Sequence, residues 1–253
     1  MFSWSRGRQL LYIFLFLSLC ALIAATIYFI YKPTPTCFDK KQNQDEVGVD
    51  CGGVCTVLCR DKVFPIQVAW TRILPVRAGQ YDMVAMLINN NAKAGLTDVF
   101  YTIKYFNERS FPIKEESGRT AIAPGEKFVL FRGGLVSDKQ QIASAALLVA
   151  SSSAWVRSEN YLPQTSIRTE EFKNDATPIL RANITNGTLK DINRLYLTAV
   201  LSDENGNVMG GSATYLDRLA RGASAEIFFT WTKPFAKIPT SIEIYPHLDT
   251  FTP

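Results

Sequence analysis

The sequence is poor in the residues that most often do chemistry. It holds one histidine in 253 residues, His247, and no cysteine beyond Cys59. A single imidazole excludes a multi-histidine metal centre, and with no nucleophile motif in the sequence His247 marks no triad. It reads as an exposed or edge residue. No G-x-S-x-G elbow, Walker loop or dinucleotide fingerprint occurs, and no acid, base and nucleophile form a familiar spacing, so the chain reads as a non-enzyme without a small-molecule substrate.

Charge is missing in a second, informative place. Residues 1–32 carry Arg6, Arg8 and Lys32 but no acid, and Leu10–Tyr31 carries no charge at all. The net charge of +4 falls to +1 over the remainder, so the basic excess is a topology signal and not a nucleic-acid surface. The 22 apolar residues 10–31 can span a hydrocarbon core about 30 Å thick at ~1.5 Å per residue. Trp4, Tyr12, Tyr28 and Tyr31 sit where interfacial rings belong, and Arg6 and Arg8 place the N-terminus inside. The run continues past Ala24-Ala25, which favours an uncleaved anchor over a signal peptide. Ser18, Cys20, Ala21, Ala24 and Ala25 form a small-residue stretch suited to helix–helix approach.

Pro33 and Pro35 then make a stiff exit, since proline cannot continue a helix. Cys37, Cys51, Cys55 and Cys59 follow within 23 residues. An even, clustered set outside a membrane reads as two disulfides, with three pairings open. The intervals fit a four-cysteine zinc site poorly, and no C-x-x-C redox pair is present. Between the cysteines lie Asp39, Asn43, Asp45, Glu46 and Asp50, with Gly48, Gly52 and Gly53. Five oxygen-bearing side chains in a turn-rich loop are a candidate calcium set; a plain disulfide-stapled polar loop is the competing reading.

The string from Cys37 through Asp50-Cys51-Gly52-Gly53-Val54-Cys55 resembles a cysteine and acid motif of bacterial and archaeal surface proteins. There a glycine often follows the first aspartate; here Lys40 stands in that place. The layout resembles uncharacterised membrane-anchored surface proteins of candidate-phylum bacteria, a group that implies no activity.

From about Val63 the sequence repeats. Asn90 pairs with Asn186, Val99 with Leu195, Tyr105 with Leu201 and Ile142 with Ile238 at an offset of 96, and Gly125 with Gly222 at 97. Asp98–Asn107 and Arg194–Ser202 alternate with period two, and Asp203–Asn207 supplies a hairpin turn. Gln140–Ala150 and Thr240–Tyr245 read as strands, and Gly133-Gly134 and Gly210-Gly211 as turns or bulges. On a strand, neighbours point to opposite faces, so neither Glu115-Glu116 nor Glu170-Glu171 makes a carboxylate dyad. Trp70, Trp155 and Trp231 read as core or inter-domain packing. Asn183 and Asn186 each begin an N-x-[ST] triplet.

The expected fold is therefore mainly β: a cytoplasmic N-terminus (1–9), a transmembrane helix (10–31), a cysteine-rich neck (32–61) and two immunoglobulin-like sandwiches (62–160 and 161–253). The second unit resembles FxLYD-type domains of bacterial envelope proteins over Asn186, Leu195–Asp203, Gly206 and Leu219–Phe229. The expected partners are the membrane and other envelope proteins, in a scaffolding role or as an accessory subunit of a secretion, pilus or export assembly.

Overall fold

In a computed structural model of the chain, residues 4–32, 34–137, 141–151, 154–159 and 164–248 are described. Pro33, the side chains of Trp4 and Arg6, the first residues of the 140–150 segment and the expected boundary at 160/161 lie outside them. The chain divides into two compact units, Met1–Val54 and Cys55–Pro253.

The first unit begins with one helix, α1 (Trp4–Tyr31), whose stretch Gly7–Tyr31 is long and apolar enough to cross a membrane. Its side chains from Leu10 to Tyr31 stand exposed among the described residues. The Thr26 hydroxyl in its final turns is satisfied internally: Oγ1 donates to the carbonyls of Leu22 (3.0 Å) and Ile23 (2.8 Å). The neck that follows has no strand among its described residues and ends in one turn of 3-10 helix, Arg60–Lys62. Cys37, Cys51, Cys55 and Cys59 are all disulfide-bonded, and Cys20 is the one free thiol. Oxidised sulfurs cannot serve as thiolate ligands, which removes the zinc reading.

The second unit is built of strands. They are β1 (Gln67–Arg77), β2 (Gln80–Ile88), β3 (Ala94–Phe106), β4 (Pro112–Ile122), β5 (Lys127–Val136), β6 (Ser144–Ser151) and β7 (Val156–Arg157). Then come β8 (Thr165–Lys173), β9 (Ile179–Asn186), β10 (Ile192–Ser202), β11 (Val208–Leu219), β12 (Ser224–Thr230) and β13 (Ser241–Leu248). Four antiparallel sheets result, ordered β1-β2-β5, β4-β3-β6, β8-β9-β12 and β11-β10-β13, with β7 added beside the start of β3. The first two sheets enclose a core from Met83, Leu87, Leu96, Ile103, Tyr105 and Phe128. The last two enclose another from Leu180, Ile184, Leu195, Leu197, Ile227 and Phe229. Period-two alternation produces both, because every second side chain of each strand turns inward.

The repeat is thus a repeat of topology: the sheets β1-β2-β5 and β4-β3-β6 reappear, in the same order, as β8-β9-β12 and β11-β10-β13. Register fixes the alignment residue by residue. Val99 faces Thr120 as Leu195 faces Leu216, an offset of 96. Ile88 faces Lys127 as Thr185 faces Ser224, an offset of 97. Two pairings expected from sequence are corrected accordingly. The partner of Asn186 is Asn89, not Asn90. Each donates its amide to two or three backbone carbonyls at the same places, Ala94 and Ala123 for Asn89 and Lys190, Leu219 and Ala220 for Asn186. The two backbone N–H groups match as well, bonding Glu126 and Ala223. Asn90 is exposed and its amide meets only Gln67. Ile142 is a core residue, whereas Ile238 is 74% exposed, so that pair shares no role.

The segment that leads into the first repeat is tied to it. Leu58 N–H donates to Trp155 O (2.8 Å), and Arg157 N–H to Thr56 O (2.6 Å). Trp155 itself is buried in the first core.

Candidate functional site

The acids of the neck come first. Asp39, Asn43, Glu46 and Asp50 converge, but on the loop's own backbone. Asp39 accepts from Lys41 N–H (2.9 Å) and from the Asn43 amide (2.9 Å), and this amide holds its carboxyl below the usual carboxylate range. Asp50 accepts Lys40 N–H on both oxygens (3.1 and 3.0 Å), and Glu46 Oε2 accepts from Asn43 N–H (3.3 Å) and Asp50 N–H (3.2 Å). Asp45 points away, exposed at φ 65°. The acids therefore hold a tight loop in shape, and Asn43 Oδ1 is the buried oxygen with no hydrogen-bond partner among the described residues. Lys40 has φ 60°, a left-handed conformation natural to glycine, which is the physical reason a glycine suits that place in the motif.

A second site arises where the repeats meet. The outer face of β1-β2-β5 packs on the outer face of β11-β10-β13. Leu74, Val84, Met86, Val129 and Val200 are buried there, flanked by Trp70, Phe131 and Tyr245. Thr198 Oγ1 donates to Val129 O (3.1 Å) across the contact. Gly211 is required: a Cβ on it would stand 2.6 Å from Val84 Cγ1.

His247 belongs to this contact, which corrects its expected exposure. Its ring stacks on Phe128 (4.0 Å between centroids, 11° between planes). Nδ1 lies 2.7 Å from Glu126 Oε1 and Nε2 2.9 Å from Thr120 Oγ1. Glu126, itself buried, also accepts Ala123 N–H at 2.7 Å, so one carboxylate ties a turn of the first repeat to β13 of the second.

Beside this contact lies a cleft of about 460 Å³. Its walls are Leu74 and Phe131 from the first repeat and Trp231 and Phe235 from the second, over Gly210 and Gly211. Three local features shape it. First, β5 bulges at Gly133-Gly134, where two residues stand opposite Asp82. The bulge turns Asp82 into the cleft mouth, where its Oδ1 accepts Gly134 N–H (2.9 Å). Partial burial pushes the Asp82 carboxyl above its usual range. Second, the turn after β12 is pinned: Asn174 accepts Phe235 N–H and donates to Phe235 O, both at 2.8 Å. Trp231 Nε1–H donates to Gly211 O at 3.0 Å, which fixes the indole plane. Third, Gly210 has no side chain, and a Cβ there would stand 2.6 Å from the Phe235 ring. Both glycine pairs therefore lie beside bulges, and β11 bulges between Val208 and Gly210.

The tryptophans divide as packing residues would: Trp155 in the first core, Trp70 at the contact, Trp231 against Phe172 and Phe235. Glu170 and Glu171 depart from expectation. A bulge between Thr169 and Glu171 lets both reach Arg181, at 3.3 and 3.9 Å. Asn186 is fully buried with its amide bonded three times, so its triplet offers no acceptor for a sugar.

No family model matches the chain, and no curated protein is similar to it. A solved structure similar to it is a transglutaminase of red sea bream, at 9% identity and a TM-score of 0.23. The similarity covers 74% of this chain and 31% of that one, and a score this low carries no argument.

Proposed function

We propose that this protein is anchored in a membrane by α1 and presents its paired β repeats to other proteins of a cell envelope. The observation that carries the reading is the uncovered apolar span Gly7–Tyr31, exposed on every side, in a chain whose remainder folds into cores of its own. Such a surface is stable only in lipid or against other apolar helices. Arg6 and Arg8 before it favour an inside N-terminus, which puts the disulfides and repeats in an oxidising space outside.

Each repeat is read as immunoglobulin-like. Its strand order, first-second-fifth over fourth-third-sixth, suits a sandwich whose chain crosses between sheets. The FxLYD likeness and the kinship with candidate-phylum surface proteins belong to this same reading. Calcium in the neck is not needed for it, because the loop's acids are already bonded to the loop.

Crosslinking in cells followed by recovery of the tagged protein tests it. The full chain should capture partners that a truncation after residue 62 does not. Identical sets from both would overturn it, and a set lost on replacing α1 with an unrelated apolar helix would favour the accessory-subunit role instead. Labelling of residues near the repeats by a membrane-impermeant reagent in intact cells should succeed; protection of those residues would reverse the orientation.

A further inference from the structure

We propose that the cleft between the repeats binds a basic side chain, arginine above all, projecting from a partner polypeptide. This deepens the partner-presenting reading above and rests on it.

The charge of the cleft is unbalanced. Asp82 is the half-buried ion of the cleft, and among the described residues it makes no ion pair. One of its oxygens receives Gly134 N–H; the other has no hydrogen-bond partner among the described residues. A carboxylate that has lost part of its water gains most from a cation brought to it, and its upward titration is the signature of that loss. Lys233 also lines the cleft, but it stands exposed on the turn after β12, where its ammonium keeps its water. The inner charge is therefore negative.

The walls supply the second half of the recognition. Phe131, Trp231 and Phe235 present three aromatic rings around that carboxylate's cleft. Ring faces attract cations, and a guanidinium stacks on them while its edge binds a carboxylate. The alkyl stem of such a side chain would lie against Leu74 and Val76. The volume, about 460 Å³, holds one long side chain with a stretch of its backbone and lies in the usual range for ligand sites. The walls are also rigid before anything binds, because Asn174 holds the Phe235 turn at both its N–H and its carbonyl, and Gly211 O holds the indole. A preformed site spends little on ordering itself.

The test uses the full chain in lipid nanodiscs and two probes, N-acetyl-arginine N-methylamide and its neutral isostere, N-acetyl-citrulline N-methylamide. The readout is the Trp231 indole N–H resonance, assigned with Trp231→Phe. The arginine probe should shift this resonance saturably, and citrulline should bind at least about tenfold more weakly. Asp82→Asn, which can still accept Gly134 N–H and so keeps the bulge, should abolish the difference between the probes. Equal binding of the two probes to the unmodified chain would overturn the proposal, as would no shift at all or an undiminished preference in Asp82→Asn. A null here with ectodomain-dependent crosslinks intact removes the cleft alone. Loss of those crosslinks with arginine binding intact removes the partner-presenting reading and leaves the cleft.

Discussion

Val84 and Arg181 occupy the same place in the two repeats, at the middle of β2 and of β9, yet one is fully buried and the other exposed. The neighbours follow suit. Val129 in the first repeat corresponds to Glu226 in the second, and Met86 to Asn183. On the opposite sheets the roles reverse. Val200 and Gly211 face each other across β10 and β11; their counterparts on β3 and β4 are Lys104 and Glu115, an ion pair at 3.6 Å. Phe100 under Arg119 answers to Tyr196 beside Tyr215, an exposed ring pairing in both repeats. Both inner faces are conserved in character, because each must close a core. The outer faces differ because only one face of each repeat is covered. One fold thus carries two surface chemistries, chosen by a handful of outward positions.

The sharpest way to break the comparison is to move an open-face residue into the covered face. Val200→Lys buries a charge with no partner against Val84 and Met86, and should cost about 3–5 kcal/mol by urea denaturation. The inverse, Lys104→Val, should cost under about 0.5 kcal/mol, since the Lys104–Glu115 pair is largely solvated. Next come the two buried asparagines. Asn89→Ala and Asn186→Ala each leave buried carbonyls without donors, and each should cost about 2–3 kcal/mol. The equality is the point: a difference above about 1.5 kcal/mol would mean the two networks are not equivalent. Gly211→Ala should cost about 1–3 kcal/mol through its collision with Val84, whereas Glu115→Ala at the matching place should be nearly neutral.

The smallest effect concerns Asp82. Its folded-state pKa lies above its unfolded value, so the folded state binds the proton more tightly. Stability then falls as pH rises through the interval between the two values, and the penalty is fully present at neutral pH. Asp82→Asn should raise Tm at pH 7 by on the order of 1–2 °C after solvent screening, and by less at pH 3. A uniform gain across that range would dissociate the effect from the carboxyl.

Much of this was legible from residue order alone. A charge-free run of 22 residues is long and apolar enough to cross a membrane as a helix, and four cysteines close together with none later point to disulfides. Alternation on β3 and β10 was plain because one face of each meets a core. The register of the repeat was not. Asn89, Asn90 and Asn91 are chemically identical, so only the hydrogen-bond partners reveal which one is the counterpart of Asn186. One signal for the covered face lay in view: Met83–Leu87 is apolar without alternation, as a strand buried on both sides must be. The cleft was beyond reach, because a two-residue bulge opposite Asp82 decides where that side chain points, and glycine pairs mark a bulge without saying what it aims.

Because the first repeat uses one kind of face and the second uses the other, the contact between them is heterologous. A heterologous contact does not by itself limit how many units can be joined; it gives a ring where the rotation closes and a fibre where it does not. The faces left uncovered in the two repeats carry ion pairs: Arg181 with Glu170 and Glu226 on β8-β9-β12, and Lys104 with Glu115 on β4-β3-β6. Replacing those charges with apolar side chains on both faces should favour association of separate molecules through a copy of the internal joint, which sedimentation would read as growth with concentration.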